Sequence, residues 1–188
     1  LVSSRGGQSL WVCGADCTPV LIADPLTGHT AACHAGWRGV AARILPSAVE
    51  QLEARGARRE DLVVALGPAV SGARYQVGDD VVTAIAASFG SISDGRTALV
   101  EAGAVQVDPE PDRYRFDLRL ATVLQLKDSG LNPANISSCP LCTASEPELF
   151  HSWRRDQVKA VQWNGIVSQA EESGTTLRLS LIHISEPT

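Results

Sequence analysis

Two short apolar runs joined by a turn constrain the fold of this chain more than any other feature. Residues 20–24 are apolar and too few for a helix, so they predict a buried strand. Residues 24–28 read Asp-Pro-Leu-Thr-Gly, where proline presets φ and glycine permits a positive φ, so a tight turn follows. Residues 29–34 then return as another strand. With a further strand over residues 9–13, the pattern indicates a meander or hairpin and not a strand–helix–strand unit.

Apolar residues at helical spacing predict three helices along the rest of the chain. The first covers residues 41–52, and Pro46 should either kink it or mark its true start. The second covers residues 79–89. Asp117 can cap the third, which runs to about residue 129 and is followed by Gly130.

Further strands are expected at three places: residues 62–66, 136–138 and 158–167. Residues 91–111 show little pattern and are expected to form a variable loop with one short strand. The sum is an α+β fold, with mixed β-sheets and flanking helices in a layered single domain.

Composition excludes several classes of function. The chain has 188 residues and a net charge of −5, with no basic patch interleaved with aromatic residues, so a nucleic-acid partner is not expected. Its apolar runs are far too short to cross a bilayer, so no membrane association is expected. Five cysteines without an export signal indicate reduced thiols and a cytoplasmic protein.

Cys17 and His34 lie at the ends of neighbouring apolar runs and carry the main chemical prediction. A thiolate and an imidazole are good zinc ligands, and strand ends can present both to one ion. The alternative is a buried cysteine and a hydrogen-bonded core histidine, since two ligands do not complete a site. Cys33 precedes His34 on the same strand, so it points to the opposite face and is expected in the core, as is Cys13.

Three other groups of residues could carry chemistry. Cys139 and Cys142 form a CxxC pair, which is either a pair of structural thiols or a metal or redox site. Arg38 follows Trp37 between glycines, where it either binds a phosphate or carboxylate or stacks on the indole in solvent. Residues 154–156, Arg-Arg-Asp, are open to either ion pairing or ligand contact.

The motifs together resemble those of the YfiH-like laccase-domain proteins. The most specific are Ala-Asp-Cys-Thr-Pro-Val at 15–20 and His-Ala-Gly-Trp-Arg-Gly at 34–39. Weaker matches support them: Gly-Pro at 67–68, Tyr-Gln-Val-Gly at 75–78, Phe-Asp-Leu at 116–118, Cys-Thr at 142–143 and the segment 149–156. The resemblance implies a YfiH/CNF1-like fold over residues 1–170. The tail, residues 171–188, is expected to be non-native or disordered.

The resemblance implies a site in which one cysteine and two histidines bind zinc. Cys17 and His34 match two of these ligands by motif. The family's other histidine lies in an upstream Gln-Val-His-Gly motif that this chain does not contain. The expectation is therefore an N-terminally truncated chain, a poor enzyme until extended upstream, with His151 as the only other realistic donor.

The resemblance also implies an activity. It is zinc-dependent phosphorolysis of adenosine, inosine, guanosine and methylthioadenosine, with adenosine deamination, in a family formerly described as polyphenol oxidases. Arg38 is then the expected phosphate ligand, and copper is an alternative metal for the same donors. Two other hypotheses stay open: an amidase that edits peptidoglycan precursors, and a non-catalytic fragment with structural thiols.

Overall fold

The computed structural model describes residues 1–3, 5–169 and 182–185, which form three β-sheets and six α-helices. The strands are β1 (Val2–Ser3), β2 (Ser9–Gly14), β3 (Thr18–Ala23), β4 (Thr30–Ala35), β5 (Val63–Leu66), β6 (Gln76–Gly78), β7 (Val105–Val107), β8 (Arg113–Phe116), β9 (Ile136–Ser138), β10 (Gln162–Val167) and β11 (Ile182–Ser185). The helices are α1 (Trp37–Ala41), α2 (Ile44–Glu53), α3 (Asp79–Ala86), α4 (Gly95–Glu101), α5 (Leu118–Asp128) and α6 (Trp153–Asp156).

The largest sheet has the order β1-β4-β3-β5-β9, and only its β5–β9 pair is parallel. A second sheet has the order β11-β10-β2, and a third has the order β6-β8-β7, both antiparallel throughout. The expected α+β class, with mixed sheets and flanking helices in one domain, is confirmed.

Strand β3 is buried on both faces, which explains its continuous apolar sequence. Because successive side chains alternate between faces, Val20 and Ile22 join the main core under the helices. Leu21 and Ala23 point the other way and pack with Ile166 of the second sheet. The large sheet is therefore the middle layer between the helices and the second sheet.

The expected hairpin is confirmed, but residues 9–13 do not belong to it. Strands β3 and β4 pair antiparallel, with Thr18 opposite Ala35 and Ala23 opposite Thr30. Strand β2 pairs with β10 instead, at the far end of the chain, and it is only half-buried. Chain order alone favours a meander, in which β2 would pair with β3. In the structure β2 instead belongs to the second sheet, where it pairs with β10.

The predicted first helix is in fact two helices. Helix α1 ends at Ala41, and Arg43 then adopts a left-handed φ of 60° before α2 begins at Ile44. Pro46 thus lies in the first turn of α2, where its missing N–H costs no hydrogen bond. Of the two roles expected for this proline, it marks the true start of the helix.

Residues 91–111 were expected to form a variable loop with one short strand, which is present as β7, but they also include the helix α4. The Asp94 side chain caps α4 by accepting from the Thr97 N–H at 3.0 Å, and Leu99 is fully buried. This helix is too short for its apolar spacing to be recognised in the sequence. Within the described ranges, no helix is long and apolar enough to span a bilayer.

Most of the expected tail, residues 171–181 and 186–188, lies outside the described residues. Residues 182–185 form β11, which pairs antiparallel with β10 at the edge of the second sheet. The backbone of this segment therefore extends the sheet. Its origin outside the native protein stays a prediction.

The expected cap of α5 is present and generates a test of the fold. Asp117 accepts from the N–H groups of Arg119 and Leu120 at 3.0 and 3.2 Å, and from that of Gly72 at 3.2 Å. We expect Asp117→Ala to lower the free energy of unfolding by about 1–2 kcal/mol, because it leaves these donors without an acceptor. Urea denaturation followed by circular dichroism measures the change. Glu101→Ala, on an exposed helix end, is the control, and an equal loss there would contradict the capping role.

Candidate active site

The register of the β3–β4 hairpin brings Cys17 and His34 to one place. Thr18 pairs with Ala35, so the next position along puts Cys17 opposite Gly36. A Cβ added at Gly36 would lie 3.0 Å from Cys17 Sγ and 3.6 Å from His34 Nε2. Both side chains therefore border the same small space, which the glycine leaves open.

The imidazole of His34 is held in a defined orientation. Its Nδ1 lies 2.6 Å from the carbonyl oxygen of Cys13, so the proton on Nδ1 is donated to that oxygen. This leaves the lone pair of Nε2 directed to the space beside Cys17. A carbonyl partner of this kind is what orients metal-binding histidines in proteins. His34 is exposed, so it is not a core histidine.

Asp16 anchors the loop that carries Cys17. Its Oδ1 accepts from the hydroxyls of Thr143 at 2.6 Å and Ser152 at 2.8 Å. Its Oδ2 accepts from the Arg154 N–H at 2.8 Å, and its backbone carbonyl accepts from the Val70 N–H at 3.0 Å. One residue thus joins three distant segments of the chain around the candidate site.

Tyr75 lies near the candidate site. The guanidinium of Arg154 lies 4.7 Å from the centre of the Tyr75 ring. Burial raises the pKa of the Tyr75 hydroxyl, against the nearby positive charges of Arg154 and Arg38, while Cys17 adds to the rise. Tyr75 is therefore within electrostatic reach of the predicted residues Cys17 and Arg38.

Arg38 lies in α1 rather than in the expected loop. Its guanidinium lies 4.4 Å from the centre of the Trp37 ring, and the residue is exposed to solvent. Of the two environments expected for Arg38, this is stacking on the indole in solvent. In the segment 154–156, Arg155 forms an ion pair with Asp156. Arg154 makes no ion pair with any described residue, and its guanidinium lies over the Tyr75 ring.

The two donors present, a sulfur and a nitrogen, are of the kinds that bind zinc. Cys17 supplies a sulfur and His34 a nitrogen, both oriented to one space. Burial raises the pKa of the Cys17 thiol, aided by the Asp16 carboxylate, so metal uptake must release its proton. In the described part of the chain no three His, Cys, Asp or Glu side chains form a metal-binding group. His151 therefore does not complete this site.

The other thiols have different surroundings. Cys33 is 3% exposed and lies in the main core, as predicted. Cys13 was expected there too, but it is only half-buried, because β2 lies in the second sheet. Cys139 and Cys142 are both free thiols, and the chain between them is fixed by Arg119, which donates to the carbonyls of Cys139 and Leu141 at 2.6 and 2.9 Å.

Cys142 has an unusual electrostatic environment. Burial disfavours its thiolate, but hydrogen bonds from Ser145, from the Ser71 N–H at 3.3 Å and from the Ala144 backbone outweigh it. Together they lower the pKa of Cys142 to about 7. Cys142 is thus the more acidic thiol and Cys17 the less acidic one.

With the geometry described, comparison with known proteins identifies the family. A family model described as multi-copper polyphenol oxidoreductase laccase matches residues 1–168. The chain belongs to this family. The resemblance drawn from the motifs at 15–20 and 34–39 is therefore confirmed.

Members of this laccase-like family with assigned activities are similar to the chain over most of its length. It is 41% identical over 177 residues to a purine nucleoside phosphorylase of Synechocystis sp., which covers 89% of this chain and 67% of that protein. It is 32% identical over 155 residues to the adenosine deaminase RL5 from an unknown prokaryotic organism, covering 82% and 56% of the two chains.

Solved structures of the family have the same fold. YlmD from Geobacillus stearothermophilus aligns with a TM-score of 0.79 and 30% identity, over 90% of this chain and 60% of that one. YfiH of Bacillus licheniformis aligns with a TM-score of 0.78 and 28% identity, over 89% and 60%. The chain thus spans about two thirds or less of the length of the relatives that it matches.

Asp16, Tyr75 and Arg154 lie around the candidate site. Sequence reasoning missed Asp16 and Tyr75, and it left Arg154 open to ion pairing or ligand contact. Asp16 stood beside Cys17 in the most specific motif, which was a usable indication. Tyr75 and Arg154 lay in weaker motifs, and only the fold shows that they meet.

The role of Asp16 can be tested through stability. We expect Asp16→Ala to lower the free energy of unfolding by about 2–4 kcal/mol, because the buried hydroxyls of Thr143 and Ser152 lose their acceptor. Asp16→Asn keeps one acceptor oxygen and should cost less. Urea denaturation measures both, with the exposed Asp80→Ala as control. If Asp16→Ala behaves like Asp80→Ala, Asp16 does not hold the site together.

The acidity of Cys142 predicts a distinctive pH dependence. Only the thiolate reacts with iodoacetamide, so alkylation of Cys142 should be half-maximal near pH 7. An unperturbed thiol has a midpoint of about 8.5. Cys17, with its raised pKa, should react only at higher pH. Mass spectrometry of alkylated peptides gives each midpoint. Ser145→Ala removes one donor and should move the Cys142 midpoint upward, and no movement would contradict the proposed cause.

Proposed function

We propose that this protein acts as a zinc-dependent purine nucleoside phosphorylase with adenosine deaminase activity. The observation that carries the proposal is the meeting of Cys17 and His34 beside Gly36, with His34 Nε2 left free by the Cys13 carbonyl. The names of the two relatives support the two activities. Its substrates are then purine nucleosides and inorganic phosphate, including adenosine, inosine, guanosine and methylthioadenosine.

In this proposal Cys17 and His34 hold the metal, and Asp16 and Cys13 position them. The carboxylate of Asp16 fixes the loop before Cys17 through Thr143, Ser152 and the backbone. The Cys13 carbonyl fixes the tautomer of His34. Zinc, when bound, lowers the pKa of a coordinated water to about 7 and so supplies a nucleophile for deamination. Copper suits the same sulfur and nitrogen donors as an alternative.

Arg38 and Tyr75 complete the surroundings of the reacting centre. The Tyr75 hydroxyl interacts electrostatically with the Arg38 guanidinium and with the Cys17 thiol. A guanidinium at this place stabilises negative charge that develops during the reaction, and the tyrosine ring offers an apolar wall. Arg38 thus stays the catalytic arginine of this proposal.

The proposal is tested by zinc binding together with activity. Cys17→Ser and His34→Gln should each weaken zinc affinity at least about tenfold, because each removes a donor from the metal. Zinc titration against a fluorescent chelator measures the affinity. Release of free purine from inosine with phosphate, and of ammonia from adenosine, measures the two activities, both of which should fall with zinc affinity.

The CxxC pair provides the matched control for this test. The double variant Cys139→Ser, Cys142→Ser also removes thiols but should leave zinc affinity unchanged. Loss of zinc in this variant, with zinc retained in Cys17→Ser, would support structural thiols and overturn the proposed metal site. Zinc binding at Cys17 without either activity on purine nucleosides, both in this chain and in one extended upstream, would overturn the proposed function.

A further inference from the structure

A cleft rich in arginine opens beside Tyr75. It has a volume of about 400 Å³. Its lining consists of small and basic residues: Ala73, Arg74, Arg115, Ala144, Arg154 and Arg155. These come from four separate parts of the chain, and no acidic side chain is among the described residues that line the cleft. The net charge of the whole chain is −5, so a basic cleft is a local feature and not a property of the surface in general.

Two of the four arginines are fixed and neutralised by partners. Arg115 forms an ion pair with Asp108 and donates to the Ala73 carbonyl at 3.1 Å. Arg155 forms an ion pair with Asp156 and donates to the carbonyls of Thr143 and Phe150, each at 2.8 Å. These two side chains build the walls of the cleft.

The other two arginines have no carboxylate partner among the described residues. In the described part of the chain, neither Arg74 nor Arg154 forms an ion pair, and the Arg74 side chain has no hydrogen-bond partner there. The guanidinium of Arg154 is oriented by the ring of Tyr75. The Asp16 carboxylate accepts from two hydroxyls and from the backbone N–H of Arg154, and within the described residues it forms no ion pair with the Arg154 guanidinium.

Two uncompensated guanidinium groups in a concave site favour an anion with several oxygens. Planar guanidinium groups bind phosphate through paired hydrogen bonds, which are stronger when both partners are charged. The cleft also adjoins the candidate active site, since Arg154 lies over Tyr75 and Tyr75 is within electrostatic reach of Cys17. An anion held here would be next to the metal ligands.

We propose that inorganic phosphate, the second substrate of the proposed phosphorolysis, binds in this cleft between Arg74 and Arg154. The inference rests on the proposed function and deepens it, because it moves the phosphate ligand from Arg38 to the cleft. Arg38 is a single cation stacked on Trp37 in solvent, whereas the cleft offers two cations in a concave site.

The reaction that the cleft would serve is balanced in atoms and electrons. A phosphate oxygen forms a bond to C1′ of the ribose, and the bond from C1′ to N9 of the purine breaks. The electron pair of the broken bond leaves with the purine, which takes up the proton that the attacking phosphate hydroxyl releases. The products are ribose 1-phosphate and the free purine, and no oxidant or reductant is needed.

The test compares arginine variants in the phosphate dependence of inosine cleavage. Arg74→Gln and Arg154→Gln should each raise the KM for inorganic phosphate at least about tenfold, as expected for loss of a charge-assisted contact. The KM for inosine should change less than about twofold, since only phosphate loses a ligand. Arg74→Lys keeps the positive charge but not the planar guanidinium. Its KM for phosphate should therefore lie between those of the parent protein and Arg74→Gln.

Two control variants make the result specific. Arg5→Gln removes another exposed arginine and should leave the phosphate KM unchanged. Arg38→Gln should not raise the phosphate KM as the cleft variants do. Circular dichroism and the thermal midpoint establish that each variant is folded. Calorimetric titration with inorganic phosphate alone gives a readout independent of turnover, and binding should be lost in Arg74→Gln.

Each contrary outcome has a definite meaning. If Arg38→Gln raises the phosphate KM and the cleft variants do not, the assignment to the cleft is wrong while the phosphorylase function stands. If phosphate binding is lost in Arg74→Gln but the phosphate KM is unchanged, the cleft holds an anion outside the reaction, and the assignment is again wrong. If neither the parent protein nor a chain extended upstream cleaves inosine although zinc binds at Cys17, the proposed function fails, and the phosphate assignment fails with it.

Discussion

The rest of the site depends on the hydrogen bonds that the carboxylate of Asp16 accepts. It gathers the hydroxyls of Thr143 and Ser152 and the N–H of Arg154, groups that lie 127 to 138 residues away along the chain. Both hydroxyls are buried, so each needs an acceptor. With these bonds made, the loop before Cys17 is fixed against the segment that carries Arg154. Cys17 and the basic cleft therefore share one support.

The middle position of strand β3 provides the rigid part of this arrangement. Its side chains are buried on both faces, so a shift of one residue would exchange the contents of two cores. That cost fixes the register with β4, which in turn places Cys17 opposite Gly36 and beside His34. Packing in the core thus sets the separation of two side chains at the surface, and the Cys13 carbonyl of the second sheet sets the orientation of the imidazole.

Charge is distributed unevenly around this support. Arg115 and Arg155 are held by Asp108 and Asp156, and each also donates to backbone carbonyls. Arg74 and Arg154 make no ion pair within the described residues, so the positive potential of the cleft comes from them. A chain with a net negative charge can thus contain a basic concave site. Carboxylates neutralise two of the arginines that line it, and the positive charge remains on Arg74 and Arg154.

The sequence by itself determined the features that depend on neighbouring residues. The turn at residues 24–28, the caps at Asp117 and Gly130, and the opposite directions of Cys33 and His34 follow from local backbone chemistry. The pairing of Cys17 with His34 was predictable because one hairpin carries both. Only the tertiary structure decided that β2 pairs with β10, that Asp16 binds Thr143 and Ser152, and that Arg154 lies over Tyr75. These contacts join residues that are far apart in the chain. They depend on how the layers pack against each other, and local sequence patterns do not predict that packing.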